Sequence, residues 1–248
     1  MDRNARQKIA STGKPVAVIT GASSGIGRAL TLALSRQGLN VRALGRNSAG
    51  LAETVAAAAQ FSEVSSYHID LTVDDDVRAF RGHLEALGRL DILIHSAGAI
   101  RENPLETASI EDLDHQYRIN VRAAYLLTQQ LLPLLSASHG QIVFINSSAG
   151  VTAKRPESGQ YAATKHALRA IADSLREEVN PQGVRVLSVY LGRTATPMQE
   201  ALFRKEGQSY DPDILLQPED VASTIVHALM LPRTAEVTDI SIRPMRKS

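Results

Sequence analysis

The sequence predicts a doubly wound α/β fold, in which helices cover both faces of a parallel sheet of about seven strands. Short apolar segments alternate with longer helical segments along almost the whole chain. The short segments are continuous apolar runs, which is typical of parallel strands that are buried on both faces. A glycine-rich turn at residues 20–27 follows the first strand and leads into a helix, and this favours an open sheet over a closed barrel.

Each predicted strand is a short apolar run that ends at small or polar residues. The first run reads Pro-Val-Ala-Val-Ile and stops at the glycine-rich turn. The later runs have the same length and a similar composition, so they are assigned to the same sheet. The predicted strands are residues 15–19, 40–44, 64–69, 91–95, 141–146, 184–189 and 237–242.

Capping and stop residues delimit the predicted helices. Gly38 ends the first helix, Ser48 and Thr72 are expected to cap the second and third, and Pro232 stops the last. The two longest helices follow the fourth and fifth strands, and a short helix lies inside an irregular insertion at residues 193–217. The predicted helices are residues 28–38, 51–61, 74–87, 109–135, 158–179, 197–205 and 218–231.

The 248 residues are expected to form one catalytic domain at residues 14–248, behind a flexible N-terminal tail at residues 1–13. The composition is 44% hydrophobic and 21% charged, which is ordinary for a globular protein with a sizeable core. The insertion at residues 193–217 mixes apolar and charged side chains, and it is interpreted as a substrate lid.

Charge and cysteine content exclude several classes of function. A net charge of +1 gives no electrostatic reason to expect nucleic acid or an anionic membrane as a partner. The absence of cysteine excludes disulfides and thiolate sites, and it fits a reducing compartment. With neither a signal peptide nor a membrane span in the sequence, the expected location is the cytoplasm. The histidines lack metal-ligand spacing, so no metal site is predicted.

Small and polar residues follow the predicted strands. In a doubly wound sheet, ligands bind beyond the carboxyl ends of the strands, so these residues should line one crevice. Their chemistry suits a nucleotide. They are residues 21–27, 45–47, 70, 96–98, 147–148 and 192–196.

The glycine-rich turn, Thr-Gly-Ala-Ser-Ser-Gly-Ile-Gly, is predicted to hold a dinucleotide pyrophosphate at the N-terminus of the helix that follows it. Glycine is required where the backbone adopts a positive φ or where a side chain would block the ligand. The alternative is a tight strand-to-helix turn that binds nothing.

Tyr161 and Lys165 lie four residues apart at the start of the second long helix, and therefore on one helical face. An ammonium group beside a phenol favours the tyrosinate and is expected to lower the tyrosine pKa. Such a tyrosine can give a proton to a carbonyl oxygen or take one from an alcohol. The pair alone is more often a solvated helix face, but here it follows a parallel strand and a Ser147–Ser148 pair.

With these features in place, the sequence resembles the short-chain dehydrogenase/reductase family, in its short single-domain branch. Four features carry the resemblance: the turn at residues 20–27, Asn120, the serine pair, and Tyr161 with Lys165. The resemblance extends from about residue 14 to about residue 242. It implies a Rossmann-type sheet and a homodimer or homotetramer formed through the two long helices.

The resemblance implies a role for each catalytic residue. Tyr161 is the general acid/base, and Lys165 lowers its pKa and binds the nicotinamide ribose. Asn120 holds a water molecule that links Lys165 to solvent. A serine polarises the substrate carbonyl, and two matches are open. Alignment from the strand favours Ser147, whereas counting back from Tyr161 gives Ser148.

The resemblance also implies the cofactor-binding residues. Asp70 and Leu71 are expected at the adenine, and Thr196 at the nicotinamide amide. Ala97 and Gly98 are expected to contact the cofactor through their backbone. The full expected set is Gly21, Ser23, Ser24, Gly25, Ile26, Gly27, Arg46, Asp70, Leu71, Ala97, Gly98, Asn120, Tyr161, Lys165, Thr194 and Thr196.

The residue after the second strand predicts the choice of cofactor. An NAD site places a carboxylate there, to accept a hydrogen bond from the ribose 2′-hydroxyl. This chain has Gly45 and Arg46 instead. Because a guanidinium suits a 2′-phosphate, NADP(H) is predicted over NAD(H). In the alternative reading, Arg46 only stacks on the adenine or faces solvent.

Two positions depart from the family pattern. His95-Ser96 stands where the family has Asn-Asn, and His95 is interpreted as a residue at the edge of the core. Leu191-Gly192 stands where the family has Pro-Gly, which frees the backbone before the lid.

The predicted function is NADP-dependent hydride transfer between the cofactor and a carbonyl or secondary alcohol of a small molecule. One alternative is a non-catalytic cofactor-binding regulator on the same fold. Another is an NAD(P)-dependent epimerase or dehydratase.

Overall fold

A computed structural model describes residues 13–246 of the chain. The predicted N-terminal tail, residues 1–13, lies outside the described residues apart from Gly13. The strands are β1 (Val16–Thr20), β2 (Asn40–Gly45), β3 (Val64–His68), β4 (Ile92–His95), β5 (Gln141–Ser147), β6 (Arg185–Leu191) and β7 (Asp239–Ile242).

The helices alternate with these strands. They are α1 (Gly25–Arg36), α2 (Ser48–Ala58), α3 (Asp74–Glu85), α4 (Ile110–Tyr117), α5 (Ala123–Ala137), α6 (Gly159–Val179), α7 (Pro197–Lys205) and α8 (Pro218–Leu229). Among the described residues, no helix combines the length and the apolar character that a membrane span requires.

All the strand pairs are parallel, and the strand order is β3-β2-β1-β4-β5-β6-β7. The predicted doubly wound sheet is therefore confirmed. The order reverses between β1 and β4, where Ile19 pairs with Ile94, and a crevice opens at such a reversal.

Each face of the sheet has its own apolar core. Leu30 of α1, Leu51 of α2 and Ile225 of α8 pack on one face. Phe80 of α3 and Leu127 of α5 pack on the other, together with α6. The edge strands β3 and β7 are partly exposed, because each lacks a neighbouring strand on one side. The prediction that strands are buried on both faces therefore holds only for the inner strands.

The predicted helix at residues 109–135 is not a regular α-helix. A π-helical turn, Arg118–Arg122, separates α4 from α5. The amide of Ala123 donates to the carbonyl of Arg118, five residues earlier. This turn carries Asn120. Its side-chain oxygen accepts a hydrogen bond from the amide of Ala99 at 2.8 Å, and its Nδ2 donates one to the carbonyl of Ala99 at 2.9 Å. The helix is therefore widened where one of its side chains bonds the loop after β4.

Two predicted helix caps are wrong. Asn47 caps α2 in place of Ser48, because its side chain accepts a hydrogen bond from the amide of Gly50 at 3.0 Å. Val73 precedes α3, and Thr72 donates its hydroxyl hydrogen bond to Asp70 at 2.7 Å instead of capping the helix.

The insertion at residues 193–217 is closed at its base. Thr194 and Leu216 form an isolated parallel bridge, and the amide of Ala195 donates to the carbonyl of Leu216 at 2.8 Å. Between these ends, α7 begins at Pro197, directly after Thr196, whose hydroxyl accepts a hydrogen bond from the amide of Gln199. The predicted bounds of this helix are confirmed.

Candidate active site

A cavity of about 580 Å³ lies at the carboxyl ends of the strands. Residues from every predicted strand-end group line this cavity, from the glycine-rich turn to the base of the insertion. The predicted site residues that line it are Gly21, Ser23, Ser24, Gly25, Ile26, Gly27, Arg46, Asp70, Leu71, Ala97, Gly98, Ser147, Ser148, Tyr161, Lys165, Thr194 and Thr196.

The glycine-rich turn packs too tightly for side chains. Gly21 has a φ of +67°, and a Cβ atom on it would lie 2.9 Å from the amide nitrogen of Ala97. A Cβ atom on Gly27 would lie 2.3 Å from the carbonyl oxygen of Gly21. Thr20 fixes the neighbouring loop, because its hydroxyl accepts hydrogen bonds from the amides of Ser96 and Ala97 at 3.0 Å. At Gly21 and Gly27, the turn therefore brings backbone without a side chain to the cavity wall.

The N-terminus of α1 faces the same space. Ser24 precedes the helix, and its side chain accepts no hydrogen bond from the first amides of α1. These amides, together with the glycine backbone of the turn, fit the pyrophosphate of a dinucleotide.

Arg46 and Asp70 face each other at the adenine end of the predicted site. Arg46 Nη1 lies 4.0 Å from Asp70 Oδ2, and 58% of the Arg46 side chain is exposed. Burial opposes ionisation of Asp70, but hydrogen bonds from Thr72 and the nearby Arg46 charge hold its pKa below the usual value. Asp70 is thus an anion that partly neutralises Arg46, and more than half of the Arg46 side chain still faces solvent.

The two candidate serines differ in their surroundings. Ser147 ends β5, and its hydroxyl accepts a hydrogen bond from the amide of Ala149 at 3.2 Å. The Ser147 hydroxyl also acts on the Tyr161 phenol, because it opposes the rise of the phenol's pKa. Ser148 begins a short 3-10 turn and is exposed.

Tyr161 and Lys165 lie side by side on α6, with Tyr161 partly buried and Lys165 fully buried. The Lys165 ammonium lies 5.8 Å from the centre of the Tyr161 ring and donates to the carbonyl of Ile145 at 3.1 Å. Burial lowers the pKa of Lys165 to about 8.

The predicted lowering of the Tyr161 pKa is wrong for this structure. Burial raises the pKa to about 12, a hydrogen bond with Ser147 opposes the rise, and the charge of Glu102 adds to it. Lys165 does not reverse the shift, because its ammonium points to the Ile145 carbonyl rather than to the phenol oxygen. Tyr161 is therefore a neutral phenol at neutral pH.

Asn120 lies behind this pair rather than on the cavity wall. Its side-chain oxygen accepts from the amide of Ala99, and its Nδ2 donates to the Ala99 carbonyl and to the Thr164 hydroxyl at 3.0 Å. Thr164 in turn donates to the carbonyl of Tyr161 at 2.8 Å. Asn120 thus ties α6 to the loop after β4.

Comparison with known proteins places this arrangement in a family. A sequence profile described as short chain dehydrogenase matches residues 15–207. The chain belongs to the short-chain dehydrogenase family. It is 32% identical over 240 residues to an uncharacterized oxidoreductase of Staphylococcus epidermidis, an alignment that covers 96% of this chain and 100% of the relative.

Two solved structures resemble this short-chain dehydrogenase along nearly their full lengths. An alcohol dehydrogenase from the archaeon Thermococcus sibiricus, complexed with 5-hydroxy-NADP, has a TM-score of 0.86 and 26% identity, and covers 95% of this chain and 99% of that chain. A metagenomic short-chain oxidoreductase in complex with NADP has a TM-score of 0.79 and 29% identity. The alignment covers 94% of this chain and 98% of the oxidoreductase chain. This protein is thus an NAD(P)-dependent oxidoreductase that acts on small molecules.

This short-chain dehydrogenase contains a group of charged residues that the sequence did not indicate. It is called here the ion-pair cluster, and it consists of Glu102, Arg155, Arg193 and Glu206. Arg155 Nη2 bridges Glu102 at 3.2 Å and Glu206 at 2.5 Å. Arg193 Nη2 contacts both carboxylate oxygens of Glu206 at 3.0 Å. Lys205, at the end of α7, bonds the backbone carbonyl of Glu102 and the side chain of Asn103. The cluster joins the insertion at residues 193–217 to the loops after β4 and β5.

Gln199 was also not predicted. Its Nε2 is buried beside the cavity and has no hydrogen-bond partner within residues 13–246. A buried donor at a cavity wall fits an oxygen-rich ligand such as a dinucleotide. Its only sequence signal is its place in the first turn of the helix after Thr196.

His95, in contrast, is a core residue. It is buried, stacks on Phe144 with ring centres 4.9 Å apart, and lies 2.8 Å from the Thr128 hydroxyl. Burial lowers its pKa to about 3, so it stays neutral. Between Gly13 and Arg246, no group of three or more histidine and acidic side chains is placed to hold a metal ion.

Proposed function

We propose that this protein is an NADP-dependent carbonyl reductase or alcohol dehydrogenase in which Tyr161 transfers the proton. One observation carries the proposal. The Tyr161 phenol, with Ser147 and Lys165 beside it, faces the same cavity as Arg46 and the glycine backbone of the turn at residues 20–27. A proton donor and a dinucleotide cradle therefore share one space.

The cofactor, when bound, supplies or accepts the hydride, and the protein provides position and proton transfer. The turn at residues 20–27 and the N-terminus of α1 would hold the pyrophosphate. Arg46 would hold the 2′-phosphate, with Asp70 and Leu71 at the adenine. Ala97, Gly98, Thr194 and Thr196 would lie along the nicotinamide half.

Proton transfer falls to Tyr161. In reduction, the phenol gives its proton to the substrate oxygen while Ser147 donates a hydrogen bond to the same oxygen. A neutral phenol is the form that this direction requires. Lys165 supplies positive charge that stabilises the resulting tyrosinate. Asn120, through Thr164, holds α6 in place, and the proposed water relay to Lys165 passes beside it.

Arg46 should decide the choice of cofactor. Arg46→Ala is expected to weaken NADPH binding about 10- to 100-fold, because charge-assisted hydrogen bonds to the 2′-phosphate are lost. NADH binding should change little. Calorimetric titration of the wild type and of Arg46→Ala with NADPH and with NADH measures these affinities. Arg81→Ala, on the outer surface of α3, is the control. Tighter binding of NADH than NADPH by the wild type would contradict the proposal.

The serine assignment has its own test. Ser147→Ala is expected to lower kcat about 10²-fold or more, since one donor to the developing oxyanion is lost. Ser148→Ala should retain most of the activity, because its side chain is exposed on the 3-10 turn. Steady-state kinetics of the two variants compare them directly, and the reverse order of activities would assign the role to Ser148.

We also propose a homodimer or homotetramer formed through α4 and α5. Three large apolar side chains of these helices are exposed: Ile110, Tyr117 and Tyr125. Burial of such side chains in a symmetric contact removes apolar area from water. Light scattering after size-exclusion chromatography should give a multiple of the 26.8 kDa chain mass, and Tyr125→Glu should shift it toward the monomer.

A further inference from the structure

The ion-pair cluster lies where a substrate would extend beyond Tyr161. Glu102, Arg155 and Arg193 line the active-site cavity, and so does Lys154 from the loop after β5. Glu102 is only 5% exposed, and its charge acts on Tyr161. Arg155 contacts Glu102 directly. A substrate whose carbonyl sits at Tyr161 therefore reaches these charges next.

Arg155 has hydrogen-bonding capacity that the described residues do not use. Only its Nη2 is engaged, and it makes both the contact with Glu102 and the contact with Glu206. Nε and Nη1 have no partner among residues 13–246. The side chain is 48% exposed while lining the cavity. A guanidinium with free donors in a cavity wall suits a planar anion such as a carboxylate.

Arg193 is less available. Its Nη2 is occupied by both oxygens of Glu206, and its guanidinium stacks on the Phe203 ring at 4.6 Å. It therefore holds Glu206, and Glu206 in turn holds Arg155. This chain of contacts fixes the Arg155 side chain at the mouth of the cavity.

The balance of charge favours an anionic ligand group over a cationic one. Three cations, Lys154, Arg155 and Arg193, line this end of the cavity, and the two carboxylates of the cluster, Glu102 and Glu206, leave a net charge of +1. Both carboxylates are already paired with Arg155, and the surrounding cations would repel an ammonium group. A narrow cleft lined mainly by one sign of charge concentrates ligands of the opposite sign.

We propose that the substrate carries a carboxylate that binds to Arg155, so that the protein acts on oxo acids and the corresponding hydroxy acids. The inference rests on the proposed function, since the carbonyl gains a hydride and the Tyr161 proton while the carboxylate is unchanged. Arg155 is a specificity-determining residue, and Glu206 is a positioning residue that acts through it.

The test compares acids with their uncharged esters. Wild type, Arg155→Gln, Arg155→Lys, Glu206→Gln and a control, Arg204→Gln, are assayed with α- and β-hydroxy acids and with their methyl esters, with both NADP⁺ and NAD⁺ supplied. Arg204 is an exposed residue of α7 that pairs only with Glu200 among the described residues, and it does not line the cavity.

In the wild type and in Arg204→Gln, kcat/KM for at least one acid should exceed that for its ester by about tenfold or more. Arg155→Gln should lower kcat/KM for the acid about 10- to 100-fold and for the ester less than about threefold, since only the acid loses a charge-assisted hydrogen bond. Arg155→Lys should recover part of the loss. Glu206→Gln should lower the preference for the acid only in part, because the Arg155 charge remains but is held less firmly.

Three results would overturn the inference: no acid preferred over its ester, equal losses for acid and ester in Arg155→Gln, or loss of the preference in Glu206→Gln as complete as in Arg155→Gln. The last would assign the effect to the position of the lid. Calorimetric binding of the same compounds separates this inference from the proposed function. Turnover of acids and esters alike overturns only the inference, whereas Arg155-dependent binding of acids without any turnover supports it and contradicts the proposed function.

Discussion

Tyr161→Phe is expected to lower kcat about 10²- to 10⁴-fold, because the substrate oxygen loses its general acid. The substitution removes only the phenol oxygen and keeps the ring on α6. NADPH affinity should stay within a few-fold of the wild type, since no contact with the turn at residues 20–27 changes. Stopped-flow kinetics and calorimetric titration of the same preparation measure the two effects.

A matched control is Tyr125→Phe, which removes an exposed hydroxyl from α5. It should keep full activity. A Tyr161→Phe variant that retained wild-type kcat would refute the role of the phenol as proton donor. Loss of NADPH binding together with activity would instead point to a damaged site.

Lys165→Met is expected to abolish most of the activity while stabilising the apoprotein at neutral pH. Burial costs the ammonium free energy, which is why its pKa falls from 10.5 to about 8. That shift corresponds to a cost of about 3 kcal/mol in the free energy of unfolding. The substitution removes this cost, but it also removes the hydrogen bond to the Ile145 carbonyl, which stabilises the fold by about 1 kcal/mol. The net expected gain is about 2 kcal/mol in the free energy of unfolding at pH 7.

The sign of the pH dependence follows from the same shift. Between pH 8 and 10.5 the unfolded chain keeps a proton on Lys165 that the folded chain has lost, so wild-type stability rises with pH relative to Lys165→Met. Tyr161 acts in the opposite sense. Its folded pKa of about 12 exceeds the ordinary 10, so its contribution is present below pH 10 and is lost between pH 10 and 12.

Urea unfolding of wild type, Lys165→Met and Tyr161→Phe between pH 8 and 12 measures how the free energy of unfolding of each protein changes with pH. The advantage of Lys165→Met over wild type should shrink as the pH rises from 8 to 10.5. An advantage that stays constant with pH would mean that the ammonium is not the source of the cost.

The fold was largely predictable from local sequence. Continuous apolar runs and the residues after them gave the strands, the parallel sheet and the lining of the cavity. The short helix α7 was predicted at its observed bounds because Thr196 and Pro197 are strong signals for a helix start. Adjacent polar residues were less informative: Asn47 and Ser48 are both good caps, and nothing local decides between them.

Other features depend on contacts that no local pattern records. The π-helical turn at Asn120 depends on bonds to Ala99 across the site. The ion-pair cluster joins Glu102 to Arg155 and Glu206, which are separated by long stretches of chain. The raised pKa of Tyr161 reflects burial and the direction of the Lys165 side chain, and spacing along a helix shows neither.

The bridge between Thr194 and Leu216 has a consequence for how substrate range can change. Because hydrogen bonds pin both ends of the insertion, the chain between them can be exchanged without altering the register of the sheet. Closing a longer or shorter loop over fixed ends costs little additional entropy. The base of the insertion is thus a natural junction at which residues 197–215 can be replaced by the corresponding segments of relatives to sample new substrate ranges. Such an exchange keeps Thr194 and Thr196 of this chain in place.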